Sequence, residues 1–240
     1  MDTIKAVTQI QHDFKNQQPP FDGIEFPEQR LLDELLLDGR EDKLRVISLF
    51  ATLDYNRNAN QLVDKILEIC DTNLLNPSYV AANQDRVAEV FEDISFRYSN
   101  RDANGWYTNC QIIADKYNGK WIELLLDTGL DAPRLVKQLN DDGFLYLKGK
   151  KIAPMYARII NDEVAPMDDV WELDIPVDTH IRRLSQDLFD SGEDMSDDMI
   201  RNEWRGLAIE TDISRHIVDG ALWQIGNNWE SWGKEYWCSL

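Results

Sequence analysis

The sequence predicts an all-α chain. Apolar residues recur at three- and four-residue intervals, as in the leucines of EQRLLDELLL, Glu28 to Leu37. Helix start and stop residues bracket these segments: Asp131 with Pro133 opens one, and Asn118–Gly119 closes another. No series of alternating polar and apolar residues suggests a sheet, and no internal repeat or low-complexity segment is present.

In chain order, Glu28–Leu37 reads as the first helix. Lys43–Leu53 and Asn58–Cys70 form a pair split by a polar turn at Asp54–Asn56. Arg86–Phe96 and Ala103–Tyr117 follow, then a shorter apolar segment, Trp121–Leu126. Asp131–Leu139 has an acidic cap and a proline in its first turn. Asp141–Asp142–Gly143 stops it, and Phe144–Lys150 is a short connector. Lys151–Ile160 carries an apolar stripe of Ile152, Met155, Ile159 and Ile160, with Pro154 expected in its first turn, where proline is tolerated. Asp162–Pro176 is acidic and irregular. Asp178 caps Thr179–Leu188, Ser196 caps a helix to about Ile209, and Thr211 or Asp212 caps one to Ile225. The tail after Gly226 carries Trp229, Trp232, Tyr236 and Trp237, which are expected to pack onto the body.

Composition narrows the functional classes. The chain of 240 residues is 43% hydrophobic, a globular composition with enough length for a substantial core. No apolar run approaches the roughly 20 residues that span a bilayer. The N-terminus, MDTIKAVTQIQHDFKN, lacks a signal-peptide core, so a cytoplasmic protein is expected, nucleoid-associated if prokaryotic. Cys70, Cys110 and Cys238 are scattered and odd in number, which argues against a metal or iron–sulfur site and for free thiols.

The formal charge is −19, and an acidic surface repels phosphates. Any nucleic-acid site must therefore be a local basic patch. Residues 143–160, with Lys148, Lys150, Lys151, Arg158 and no acid, sum to +4 and leave −23 on the remainder. This patch falls on a helix, a tight connector holding Gly149, and a second helix, which together form a helix-hairpin-helix. Backbone N–H groups in such a hairpin can hold a phosphate, with Lys148 and Lys150 adding charge. A plain helical hairpin with solvated lysines has the same pattern.

Twenty-seven residues after Lys151, measured to Asp178, lies IPVDTHIRRL, Ile175 to Leu184. Gly149-Lys150-Lys151-Ile152-Ala153 resembles the Gly-x-Lys-[Thr/Val]-Ala of the helix-hairpin-helix DNA glycosylases that also act as lyases. Val177-Asp178-Thr179-His180, followed by Arg183, resembles that superfamily's Val-Asp-[Thr/Val]-His motif, and the two motifs occur in the same order. Leu49–Ile66 is similar to the early helix pair that carries the family's gap-filling residue. Tyr98–Trp121 is similar to the helix before the hairpin, and Ala221–Gly226 resembles a late helix. The resemblance spans roughly Lys43 to Gly226. The hairpin departs from the usual Leu-Pro-Gly-Val-Gly, reading Leu145-Tyr146-Leu147-Lys148-Gly149. The missing cluster cysteines lean away from the endonuclease III branch and towards the cluster-free 8-oxoguanine glycosylases.

The resemblance implies a bilobal fold. One lobe would run from 43 to 150 with the first half of the hairpin; the other would join 1–42 to 151–240. It implies a base-excision enzyme acting as a monomer, without cofactor or metal, on duplex DNA that contains a damaged, oxidised base. Lys151 would attack the sugar to form a Schiff base, with Lys148 and Lys150 favouring the neutral amine. Asp178 would stabilise positive charge on the sugar. Lys148, Gly149, Lys150 and His180 would contact phosphate, and Asp54, Tyr55 and Asn56 are the gap-filling candidates. From the residues alone, Asp178 reads first as an ordinary cap, His180 as structural or a phosphate contact rather than a catalytic base, and Arg182 and Arg183 as ion-paired rather than base-reading. Two other functions remain compatible: a monofunctional N-glycosidase on a nucleoside or another nucleic acid, using the Asp alone, and a non-catalytic DNA-binding module.

Overall fold

The computed structural model describes residues 2–54, 58–70, 72–189 and 194–240. Among them the chain is helical and contains no strand. The α-helices are α1 (Thr3–Lys15), α2 (Pro27–Leu35), α3 (Arg40–Leu53), α4 (Ala59–Cys70), α5 (Pro77–Ala82), α6 (Gln84–Asp93), α7 (Ser99–Lys116), α8 (Trp121–Asp127), α9 (Ala132–Asp141), α10 (Gly149–Glu163), α11 (Thr179–Leu188), α12 (Asp197–Glu210), α13 (Arg215–Asn227) and α14 (Lys234–Ser239). No helix is long and apolar enough to cross a membrane among the described residues.

The chain divides into two compact units. One comprises Glu25–Val170; the other joins Met1–Ile24 to Trp171–Leu240. These limits differ from the expected 43–150 division. The reason is side-chain packing. Helix α2 packs on α3 and α4, and Arg30 on α2 pairs with Asp64 on α4 at 2.6 Å. Helix α10 packs on α9 and α3, with the Tyr156 hydroxyl 2.6 Å from Ser48 Oγ. Both arms of the hairpin therefore belong to one body.

In the 25–170 unit, Leu44, Ile47 and Phe50 of α3 are buried with Ile66, Trp106, Trp121, Phe144 and Tyr156. Trp106 stacks on Trp121 with ring centroids 5.9 Å apart, and Trp121 meets Phe144 at 5.8 Å. Trp106 also donates its indole N–H to the Leu74 carbonyl at 2.8 Å, so the buried ring leaves no polar atom stranded. The free N–H groups at the start of α8 find a remote acceptor: Glu41 on α3 takes those of Trp121 (3.2 Å) and Ile122 (2.8 Å).

In the other unit, Val7 and Ile10 of α1 share a core with Ile181, Leu184, Trp204, Val218, Leu222 and Ile225. The aromatic tail closes it, as expected. Phe21 meets Trp232 at 5.5 Å and Tyr236 at 5.2 Å, both edge-on, and Trp237 is buried. The N-cap position of α13 is Ser214, not Thr211 or Asp212. The Thr211 hydroxyl instead donates to the Leu207 carbonyl (2.6 Å) and serves the end of α12.

One local expectation fails with consequence for the site. Helix α10 begins at Gly149, two residues earlier than periodicity suggests, so Pro154 lies inside the helix and not in its first turn. Its ring has no N–H for the Lys150 carbonyl. Burial of Ala153, Pro154, Tyr156 and Ala157 against neighbouring helices holds the segment helical despite this.

Candidate functional site

The hairpin closes, by a route the sequence did not indicate. Gly143 ends α9 with φ +78°, and Gly149 opens α10 with φ +90°, a conformation suited to glycine. Between them, Phe144 and Leu147 are fully buried and anchor the connector. Leu147 does not need a positive φ; Tyr146 takes the left-handed conformation, at φ +61°. Its ring lies over Gly105, where an added Cβ would come within 2.6 Å, and the Arg101 guanidinium stacks on it at 4.3 Å. Asn109 of α7 pairs with the Leu145 backbone in both directions, accepting its N–H at 2.7 Å and donating to its carbonyl at 2.8 Å. Asn140 accepts the Gly149 N–H at 3.0 Å.

This geometry sets Lys148, Gly149, Lys150 and Lys151 on consecutive positions at the start of α10, with all three lysines exposed. The cations of the preceding arm are neutralised. On α9, Lys137 pairs with Asp141 and Arg134 with Asp131 at 3.5 Å, and Lys116 at the end of α7 pairs with Asp142. Lys148 and Lys151 have no carboxylate within 4.0 Å among the described residues. The charges of Lys148 and Lys151 are therefore not neutralised by a carboxylate among the described residues, and the helix N-terminus adds to them. Beside the hairpin, Asp142 accepts from Lys116, the Tyr117 hydroxyl and Gln138. Burial pulls its pKa upward, but these donors outweigh burial and hold the carboxyl below its usual range.

Asp178 and His180 belong to the other unit. Asp178 is the N-cap of α11, as its position implies: Oδ1 accepts the N–H groups of His180 and Ile181, both at 2.8 Å. Its Oδ2 has no hydrogen bond among the described residues, so the carboxylate is fixed in orientation with one oxygen open. His180 packs against α13 at Gly226, where an added Cβ would lie 2.4 Å from the histidine Cβ. Arg182 is ion-paired with Asp197, as expected. Arg183 is not ion-paired among the described residues; it stacks on the Trp229 ring at 4.2 Å.

Of the gap-filling candidates, Asp54 caps the end of α3, with its N–H on the Phe50 carbonyl at 2.9 Å. Tyr55 and Asn56 lie outside the described residues. Among the described residues, no group of His, Cys, Asp and Glu is arranged to hold a metal ion.

Sequence reasoning missed Asn109 and Asn140, the two residues that shape the turn. Asn109 carried a signal. It stands between Trp106, Cys110 and Ile113 on the buried face of α7, and a polar residue on such a face must find a partner. No protein-family model matches this chain, and no curated protein sequence does.

Proposed function

We propose that this protein is a DNA glycosylase of the helix-hairpin-helix kind that excises an oxidised base from duplex DNA. The observation that supports this reading best is the closed hairpin, whose unneutralised Lys148 and Lys151 sit at a helix N-terminus on an otherwise acidic chain. A phosphate diester fits that turn by charge and by N–H donors.

The chemistry assigned to the remaining residues follows from the bond to be broken. As the C–N glycosidic bond cleaves, the base leaves with the bonding electrons and the sugar gains positive charge. The open oxygen of Asp178 opposes that charge, and the cap bonds spare it reorientation. In the lyase step, the neutral Lys151 Nζ bonds to the anomeric carbon as the base departs and gives up a proton; the ring bond between that carbon and O4′ then breaks, O4′ takes up a proton, and the iminium left at the anomeric carbon is the Schiff base. The base must be out of the stack before either step.

Exposure of Lys151 favours a second reading, in which Asp178 works with water and the lysine only binds DNA. Borohydride trapping on duplexes that each carry one damaged base separates the two. The lyase reading expects a covalent adduct in the wild type and none in Lys151→Gln. Base release without any adduct establishes the monofunctional enzyme. No release from any lesion in the panel, with binding indifferent to the lesion, rejects glycosylase activity.

A further inference from the structure

Asn109 is fully buried in the middle of α7, and its bonds converge on the hairpin. Its amide donates to Thr52 Oγ1 at 3.1 Å and to the Leu145 carbonyl at 2.8 Å, while its oxygen accepts the Leu145 N–H at 2.7 Å. Thr52 in turn donates to the Ser48 carbonyl (2.7 Å), and Ser48 Oγ meets the Tyr156 hydroxyl on α10 at 2.6 Å. Ser48, Thr52 and Tyr156 are buried as well.

A packed apolar contact would have held these helices together at lower risk, since every member of a buried polar chain must be satisfied. What the chain adds is direction. A leucine at position 109 could fill the space, but it could not fix the rotation of the Leu145 peptide. That peptide immediately precedes Tyr146, the residue in the left-handed conformation, and Tyr146 precedes the turn that delivers Lys148 and Gly149. Rotating it swings the tip relative to the start of α10.

We propose that Asn109 is the positioning residue of the hairpin. Through the buried series Tyr156, Ser48, Thr52 and Asn109, it locks the connector in the one conformation that presents the lysine-bearing turn to a phosphate diester. The inference rests on the hairpin being the phosphate site. Asn109 touches no substrate; it acts through Leu145.

Three measurements test it on the full chain: affinity for an undamaged duplex across a salt series, exchange of the Leu145 amide, and base release at saturating lesion DNA. The control is Val87→Ala, a buried truncation on α6, which packs on α7 away from the hairpin. Asn109→Ala is expected to weaken duplex binding at least tenfold. It should also reduce the slope of log affinity against log salt by about 0.9, the loss of one phosphate contact. The Leu145 amide should exchange faster, and base release at saturation should stay near wild type, so the defect lies in affinity and not in turnover. Val87→Ala should lose stability but keep affinity and slope. If Asn109→Ala does not fold, Asn109→Asp keeps the acceptor for the Leu145 N–H and loses the donor, and the same shifts are expected in smaller measure. Wild-type binding with an Asn109 variant that matches Val87→Ala in affinity and slope overturns the positioning role and leaves the proposed function standing. A wild type that does not bind duplex DNA at all overturns the phosphate site, and this inference with it.

Discussion

Asn140→Asp separates the phosphate-binding hairpin from a merely structural one, because the two roles respond with different signs. The wild-type amide bridges the arms: its oxygen accepts the Gly149 N–H at 3.0 Å and its nitrogen donates to the Val136 carbonyl at 2.6 Å. The aspartate keeps the first bond and strengthens it, since a carboxylate at a helix N-terminus stabilises by about 0.3–1 kcal/mol. It loses the second, an exposed bond contributing about 0.5–1.5 kcal/mol. The two nearly cancel, so stability in urea should change by less than about 1 kcal/mol. DNA binding has no such compensation. For a phosphate on the first turn of α10, we take a separation from the new carboxylate of roughly 6 Å, about one helical pitch. Two unit charges at that separation repel by about 0.7 kcal/mol at a water-like dielectric and by about 2.8 kcal/mol at the effective value near a protein surface. Taking about 1–2.5 kcal/mol, duplex affinity should fall roughly five- to seventyfold in a fluorescence anisotropy titration at low salt. The loss should shrink as salt rises. Asn140→Ser, a neutral cap, should bind as wild type. An aspartate variant that is normally folded and binds DNA as tightly as wild type would refute the hairpin as the phosphate site.

Two further outcomes follow from the packing. Gly226→Ala forces a methyl to within 2.4 Å of His180 and should cost about 1–3 kcal/mol by overpacking, read as a lowered thermal midpoint; an unchanged midpoint would show that α11 and α13 are not so closely apposed. Asp142→Asn should cost about 1–3 kcal/mol at pH 7, because a carboxylate that serves Lys116, Tyr117 and Gln138 is replaced by an amide. The Asp142 carboxyl is held below its usual range, so the unfolded state binds its proton first. Its stabilisation is present above the unfolded-state value and is lost as pH falls through the lower folded-state value. The gap between wild type and Asp142→Asn, measured by chemical unfolding, should therefore narrow from pH 7 to about pH 3; a gap independent of pH would rule out the charge as its source.

Much of the fold was legible locally. The caps at Asp131, Asp178 and Ser196 hold the bonds their positions imply, to the N–H groups of Arg134, of His180 and Ile181, and of Met199. A cap is a contact between residues two or three apart, so sequence order nearly determines it. Helix α1 and the short α5 carried the same kind of signal, an Asp2 or Asn76 cap, but little periodicity in α5 and a first residue beside the terminus in α1 made them easy to pass over. Pro154 misled for a related reason: propensity places it in a first turn, whereas burial around it sustains the helix.

The sequence by itself determined that the chain is helical, that residues 143–160 carry a net charge of +4 within an acidic chain, and that Asp178 opens a helix. All of these follow from residue type and short spacing. Tertiary structure alone decided where the units divide, that Glu41 serves the start of α8, and that the turn closes with Tyr146 left-handed and Leu147 buried. Those outcomes depend on partners far away in sequence, such as Asn109 for Leu145, and a backbone peptide's orientation is set by whichever distant group satisfies it.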